Sequence, residues 1–185
     1  MVSIGSLWLP ILVSAVLVFV ASSLIHMVLT YHRADYRKLP SEDGVMDALR
    51  PFNIPPGDYL VPCPSGANAM RDPAFMERRR KGPVLLATVL PSGDVRMGGQ
   101  LAAWFLFSAV VSLFAGYVAS RALPPGAPYM DVFQLTSTVA FVGYALALWE
   151  LTIWFNRSLG TTLRSTLDGL VYALLTGGAF GWLWP

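Results

Sequence analysis

Four long stretches of this chain contain almost no charged side chains, and this feature limits its fold more than any other. The stretches are Ile4–Tyr31, Leu101–Ser120, Val132–Phe155 and Ser165–Trp184. The first two contain no Asp, Glu, Lys or Arg, and the others contain one acid each, Glu150 and Asp168. A bilayer core about 30 Å thick is crossed by a helix of about 20 apolar residues. The sequence therefore predicts an all-α integral membrane protein with a four-helix transmembrane bundle.

The composition excludes other classes of protein. Hydrophobic residues make up 55% of the 185 residues and charged residues 13%, whereas soluble domains have about 45–50% and about 25%. A soluble globule and a disordered chain are both inconsistent with these values. Cys63 is the single cysteine, so no disulfide can form within the chain.

The distribution of basic residues predicts the orientation in the membrane. We divide the chain into a first transmembrane helix (1–32), a cytoplasmic loop of 68 residues (33–100) and three further transmembrane helices (101–185). The loop contains ten of the thirteen Lys and Arg residues. Because cytoplasmic loops carry the excess of Lys and Arg, we expect both chain termini outside and the long loop inside. The expected location is a bacterial inner membrane.

The long loop contains signals for short helices and strands. Ser41 is expected to cap a helix over Glu42–Arg50, and Asp72 a helix that continues to Lys81. A strand is expected at Tyr59–Val61, and a small β-hairpin at Val84–Leu90 and Val95–Met97. Such a loop is either a docking platform for another molecule or an ordered connector, and the sequence favours neither.

One dense basic cluster lies in this loop, and it consists of Arg78, Arg79, Arg80 and Lys81. Each cation near an anionic leaflet contributes about 1 kcal/mol to membrane binding, so we expect these residues to contact anionic lipid headgroups. Nucleic-acid binding needs a broader basic face. Eight acidic residues share the loop with the ten basic ones, so nucleic acid is excluded as a partner.

Small residues recur along the spans at intervals of four. The last span carries Ser165, Gly169, Ala173, Gly177 and Gly181, and the second carries Ser108, Ser112 and Gly116. Small residues let membrane helices approach each other closely. We therefore expect these faces to pack, with the fourth and second spans closely apposed. The neighbour can belong to the same chain or to another subunit.

Three ionisable residues lie within the spans: His26, Glu150 and Asp168. An ionisable residue inside a membrane marks a functional site unless it has a structural partner. Glu150 continues a small-residue face, so it is expected to point into the bundle and to form a hydrogen bond with His26. Asp168 lies four residues after Arg164, and we expect an ion pair between them.

The sequence predicts neither a metal nor a cofactor. A metal site would require His26, His32 and an acid to converge, and a spacing of six differs from the i, i+4 spacing of helical zinc motifs. A small residue four positions before a histidine, as in Ser22 and His26, resembles the pattern of light-harvesting polypeptides, which implies an axial ligand for chlorophyll. We favour a histidine that forms a hydrogen bond within the bundle.

No catalytic motif is present, so we expect a protein that is not an enzyme. The preferred hypothesis is an accessory, assembly or scaffolding subunit of a larger respiratory or photosynthetic membrane complex. The partners would be the lipid bilayer and other membrane subunits or further copies of the chain. The first alternative is a small proton- or ion-coupled transporter that uses His26 and Glu150. The second is a lipid-modifying enzyme that uses His26, His32, Asp35 and Asp47.

Overall fold

A computed structural model describes residues 1–94 and 96–185. Three of its helical segments are long and apolar enough to cross a membrane: Ile4–Met27, Gly98–Ala122 and Tyr129–Phe155. These three correspond to the first three predicted spans. The chain forms two compact units, one made of Met1–Arg37 with Arg96–Pro185, the other of Lys38–Val95.

The first unit is a bundle of long helices. Its elements are α1 (Trp8–Met27, after a 3₁₀ turn at Ile4–Leu7), α4 (Gly98–Ala122), α5 (Tyr129–Phe141), α6 (Leu148–Phe155) and α7 (Leu159–Leu183). A wide π turn, Val142–Leu146, joins α5 to α6. The first helix is shorter than expected, because α1 ends at Met27 and Tyr31 belongs to a separate 3₁₀ turn, Tyr31–Asp35.

The helices surround a common interior in which each long helix has two main neighbours. α7 packs on α5 and α1, and α4 packs on the same two helices from the other side. The expected close apposition of the second and fourth spans is therefore wrong, since α4 and α7 lie across the bundle from each other. Phe180 of α7 bridges the interior, with its ring against Gly116 of α4.

The small residues of α7 face α5 and the π turn. A β-carbon built at Gly177 would lie 2.8 Å from Cβ of Ser137 and 2.9 Å from the carbonyl oxygen of Phe133. Gly169 is similarly close to Ala145, and Gly181 to Tyr129. Ala173 is buried on this side of the helix, and Ser165 is half-buried. The stripe is therefore used for packing within the chain.

The small residues of α4 are also buried in the bundle interior. Ser108, Ser112 and Gly116 are inaccessible to solvent. The hydroxyls of Ser112 and Ser14 of α1 lie 2.8 Å apart and form a hydrogen bond between the two helices. Both predicted packing faces are thus occupied by helices of the same molecule.

Gly177→Ala should destabilise the bundle, whereas Gly178→Ala should not. At Gly177 the added methyl group meets a backbone carbonyl, and overpacking of this kind costs about 1–3 kcal/mol. At Gly178 the nearest atom to an added β-carbon is 3.9 Å away, and alanine is favoured in a helix by about 0.5–1 kcal/mol. Thermal unfolding in detergent should show shifts of opposite sign. Equal shifts for the two variants would contradict the packing described here.

The π turn determines where Glu150 points. One extra residue in a helical turn rotates everything after it by about 100° relative to a regular helix. The small face of α5 therefore does not continue into α6, and Glu150 is exposed on the outside of the bundle. The prediction that Glu150 points inward is wrong for this reason.

The second unit contains two short helices and two strands. These are α2 (Glu42–Leu49), β1 (Gly57–Val61), α3 (Pro73–Lys81) and β2 (Leu85–Val89). Asp72 caps α3, because its carboxylate accepts a hydrogen bond of 3.0 Å from the Ala74 amide. Ser41 has a left-handed backbone and its side chain makes no capping hydrogen bond.

The small sheet is present, but it is not the expected hairpin. β1 pairs with β2 in antiparallel orientation, from Gly57 opposite Val89 to Val61 opposite Leu85. The strand expected at Val95–Met97 does not form at Arg96 and Met97, and Val95 lies outside the described residues. The paired strands β1 and β2 are separated in the sequence by α3.

Candidate functional site

The end of α1 brings several charged residues together beside α7. After Met27 the chain leaves the helix and forms the 3₁₀ turn Tyr31–Asp35, which packs against α7. This turn places Tyr31, His32 and Asp35 next to Arg164 and Asp168 of α7. We call these five residues the charged cluster.

Asp168 is the most deeply buried member of the charged cluster, with 5% of its side chain exposed. One of its carboxylate oxygens accepts a hydrogen bond from the Tyr31 hydroxyl. The other lies 2.7 Å from Nε2 of His32. A buried carboxylate is costly unless it is paired and hydrogen-bonded, and both oxygens of Asp168 satisfy this condition.

His32 links the two carboxylates of the charged cluster. Its Nδ1 lies 2.7 Å from Oδ2 of Asp35, while its Nε2 lies against Asp168. An ionised carboxylate only accepts hydrogen bonds. Both contacts are hydrogen bonds when both ring nitrogens carry hydrogen, and His32 then joins the side chains of Asp35 and Asp168.

Arg164 completes the charged cluster on the side of Asp35. Its Nε and Nη2 lie 2.7 Å and 2.6 Å from Oδ1 of Asp35. Burial alone raises the pKa of the Asp35 carboxyl, but the hydrogen bonds from His32 and Arg164 outweigh burial and lower the pKa. The ion pair expected between Arg164 and Asp168 is replaced by two separate pairs, Arg164 with Asp35 and Asp168 with His32.

His26 lies beside the charged cluster and is exposed. Its ring stacks on that of His32, with a distance of 4.4 Å between the centroids and 34° between the planes. It does not face Glu150, which lies on the outer surface. A ligand nitrogen of each histidine and a carboxylate oxygen of Asp168 all lie within 4.8 Å of one another. The convergence that the sequence spacing did not predict is therefore present.

Ser22, the small residue four positions before His26, is covered by a side chain of α4. Ser22 is buried, and its hydroxyl accepts a hydrogen bond of 2.7 Å from the indole N–H of Trp104 in α4. Trp104 therefore packs against the side of α1 on which Ser22 lies. The structure therefore gives no support to the resemblance to light-harvesting polypeptides.

No family model, curated protein or solved structure matches this chain.

The bundle interior beyond Asp168 contains several buried hydroxyl groups among apolar side chains such as Val18, Val111 and Ala140. Tyr172 and Thr176 follow Asp168 at intervals of four residues on the same face of α7, and both are buried. Other helices contribute further buried hydroxyls from Ser14, Ser108, Ser112 and Thr136. The Tyr172 hydroxyl has no hydrogen-bond partner among the described residues. Most of the others donate to a backbone carbonyl of their own helix, and their oxygens remain available as acceptors.

The other end of the bundle interior is closed by apolar side chains. Leu7, Val132 and Phe180 are fully buried and pack together, with Ile11 and Trp184 around them. We call Leu7, Val132 and Phe180 the apolar plug. Phe180 follows Asp168 by twelve residues on one helix, so about 18 Å separates the charged cluster from the plug.

Proposed function

We propose that this chain is a small four-span membrane protein that carries cations across the bilayer and loads them at the charged cluster. The observation that supports this proposal most strongly is the position of Asp168. It is a buried carboxylate at one end of an interior that contains several buried hydroxyl groups, and the apolar plug closes the opposite end. Ionisable residues that face the interior of a membrane bundle mark ion pathways in many transporters.

The fourth span of this proposal is α7. This helix has 25 residues and packs along α5 and α1, which belong to segments that are apolar enough to cross a membrane. Its polar residues face inward, and its exposed side chains are apolar: Leu163, Leu167, Leu170, Val171 and Leu174. A helix with a polar interior face and an apolar exterior is suited to lipid as its solvent.

The excess of basic residues between α1 and α4 orients the proposed bundle with the charged cluster at the cytoplasmic side. In this orientation His26 is the first side chain of the site that a cytoplasmic cation meets. The apolar plug then lies toward the exterior.

Flux measurements in proteoliposomes test the carrier directly. The full chain would be reconstituted around dyes that report H⁺, Na⁺, K⁺, Mg²⁺ or Zn²⁺, and uptake would be compared with protein-free liposomes. We expect uptake of at least one cation above the protein-free control. Asp168→Asn should abolish it, because the amide removes the buried negative charge. Glu150→Gln is the matched control, and it should retain the wild-type rate because Glu150 lies on the outer surface.

Two results would overturn the carrier. One is a flux that equals that of protein-free liposomes for all five cations. The other is full uptake by Asp168→Asn protein that elutes from gel filtration like the wild type.

A second candidate function is that of an accessory or assembly subunit, and the second unit supports it. Residues 38–94 include regular helices and strands. Among these described residues, the buried ones are Ala69 and Phe75. Large apolar side chains remain exposed on it, such as Phe52 at 73% and Leu90 at 72%. Exposed apolar surface of this kind is typical of an interaction site. Arg78–Lys81 are also exposed, as contact with anionic lipid headgroups requires.

Native electrophoresis in mild detergent distinguishes the two candidates. A subunit of a larger complex should migrate with its partners when it is extracted from its own membrane. If the chain migrates as a free monomer and supports cation flux alone, the accessory function is excluded. A variant in which a short linker replaces residues 40–94 should then retain the cation flux of the wild type.

A further inference from the structure

The groups around His32 are arranged as the outer shell of a metal site. Histidines that bind a metal through one nitrogen commonly donate a hydrogen bond from the other to a carboxylate, which fixes the tautomer and the ring orientation. Nδ1 of His32 contacts Asp35 at 2.7 Å, and Asp35 is held in turn by Arg164. Nε2 of His32 is directed toward Asp168, and the His26 ring stacks beside that of His32.

Asp168 is prepared in a corresponding way. The Tyr31 hydroxyl occupies one carboxylate oxygen, so the other oxygen remains for a cation. That oxygen now lies 2.7 Å from Nε2 of His32. A metal ion inserted between these two atoms would replace the hydrogen that they share, and binding would release this hydrogen as a proton.

The separation of the three ligand groups suits a small cation. Bonds of about 2.0–2.1 Å to a tetrahedral ion place neighbouring ligand atoms about 3.3 Å apart. His26, His32 and Asp168 offer atoms that all lie within 4.8 Å of one another. A movement of the exposed His26 ring by up to about 1.5 Å and a small separation of His32 from Asp168 would reach that geometry.

We propose that His26, His32 and Asp168 bind one divalent transition-metal ion such as Zn²⁺, and that this ion is the cation carried by the protein. The identity of the cargo rests on the proposed carrier function, whereas the binding site does not. Two imidazoles with one carboxylate favour Zn²⁺, Fe²⁺ or Co²⁺ over Mg²⁺ and Ca²⁺, which prefer oxygen ligands. The exposure of His26 leaves a fourth position open for water during loading.

The test measures metal binding to the full chain in detergent, purified without a polyhistidine tag and treated with a chelator. Zn²⁺ binding would be followed by calorimetry, and Co²⁺ binding by the visible absorption of a four-coordinate ion. We expect one equivalent of either metal to bind, and neither Mg²⁺ nor Ca²⁺ to compete.

Two variants and one control test the proposed site. His26→Ala should weaken Zn²⁺ binding by at least about 100-fold, because it removes a ligand without disturbing a buried contact. Asp35→Asn should weaken it by about 10–100-fold, the usual effect of an outer-shell change. Glu150→Gln is the control and should bind like the wild type. Since His26 is exposed, loss of binding in His26→Ala cannot be attributed to misfolding if its unfolding temperature is unchanged.

The site is overturned if the wild type shows no saturable one-to-one binding, or if His26→Ala binds Zn²⁺ as tightly as the wild type. Either result would leave the charged cluster as a clamp between the 3₁₀ turn and α7. Failure of the carrier gives a different result: one-to-one Zn²⁺ binding in detergent without Zn²⁺ flux in proteoliposomes. Flux of Na⁺ or K⁺ without Zn²⁺ binding would retain the carrier and exclude this cargo.

Discussion

Asp35→Ala should lower the free energy of unfolding by about 3–5 kcal/mol, because it removes one partner of a buried ionic network. His32 and Arg164 both depend on this carboxylate, and their side chains are 13% and 24% exposed. Without Asp35, the Arg164 guanidinium and Nδ1 of His32 lose the acceptor that they share and keep little access to water. Thermal unfolding in detergent should report a midpoint lower by on the order of 10 °C.

Asp47→Ala provides the matched control for this prediction. Asp47 pairs with Arg50, and their side chains are 66% and 65% exposed. Exposed pairs contribute about 0–1 kcal/mol, so the midpoint should hardly change. A double-mutant cycle with Arg164→Gln isolates the Asp35–Arg164 contact. Additive effects in that cycle would show that the two residues do not act as a pair.

The sequence was sufficient to predict the first three spans, because long apolar runs have few other solutions. It was also sufficient to identify the glycine-rich faces, since a spacing of four keeps small residues on one side of a helix. The predicted partner was wrong, because the faces of the second and fourth spans were expected to meet each other. The choice of partner depends on the packing of four helices together, and α7 selects α5 through Gly169, Gly177 and Gly181.

The charged cluster could not be predicted because it depends on where α1 ends. An apolar helix that continued to Tyr31 would separate His32 from His26 by most of two turns. The chain instead leaves the helix after Met27, and the 3₁₀ turn brings His32 back beside His26. Val28, Leu29 and Thr30, which lie between Met27 and Tyr31, give no signal for this break. His26 and Asp168 were recognised separately, but nothing in the sequence showed that His32 joins them.

Glu150 is a residue for which the sequence predicted a site that the fold does not form. Its position in the third span suggested that it points into the bundle, but it is exposed. Glu150 faces inward only on the assumption of 3.6 residues per turn throughout the third span. The π turn at Val142–Leu146 breaks that assumption. A transporter based on His26 and Glu150 therefore has no geometric basis, while Asp168 provides the buried carboxylate that such a function needs.

The packing of the small-residue faces also changes the support for the two hypotheses, an accessory subunit and a cation carrier. Those faces were the main reason to expect a protein that binds other membrane subunits. Because they are occupied within the chain, they no longer support a partner, and the remaining support for one comes from residues 38–95. The buried hydroxyl groups of the bundle interior, which packing alone does not require, favour the carrier.

Phe180→Ala is expected to have the second large effect, and it tests the apolar plug. Phe180 is fully buried between Leu7, Val132 and Gly116. Replacing a buried phenylalanine by alanine leaves a cavity and costs about 3–5 kcal/mol. In this bundle the cavity would also connect the bundle interior with the end that the plug closes. Proteoliposomes with this variant should therefore lose an imposed Zn²⁺ gradient faster than those with the wild type.

Phe114→Ala separates the plug from a general loss of aromatic surface. Phe114 lies on α4 and is 60% exposed, so its removal leaves neither a cavity nor a path through the bundle. It should change neither the unfolding midpoint nor the rate at which the gradient is lost. Phe180→Ala protein that is destabilised but retains the gradient would show that Phe180 serves packing alone, because a plug that can be removed without a leak does not close a path.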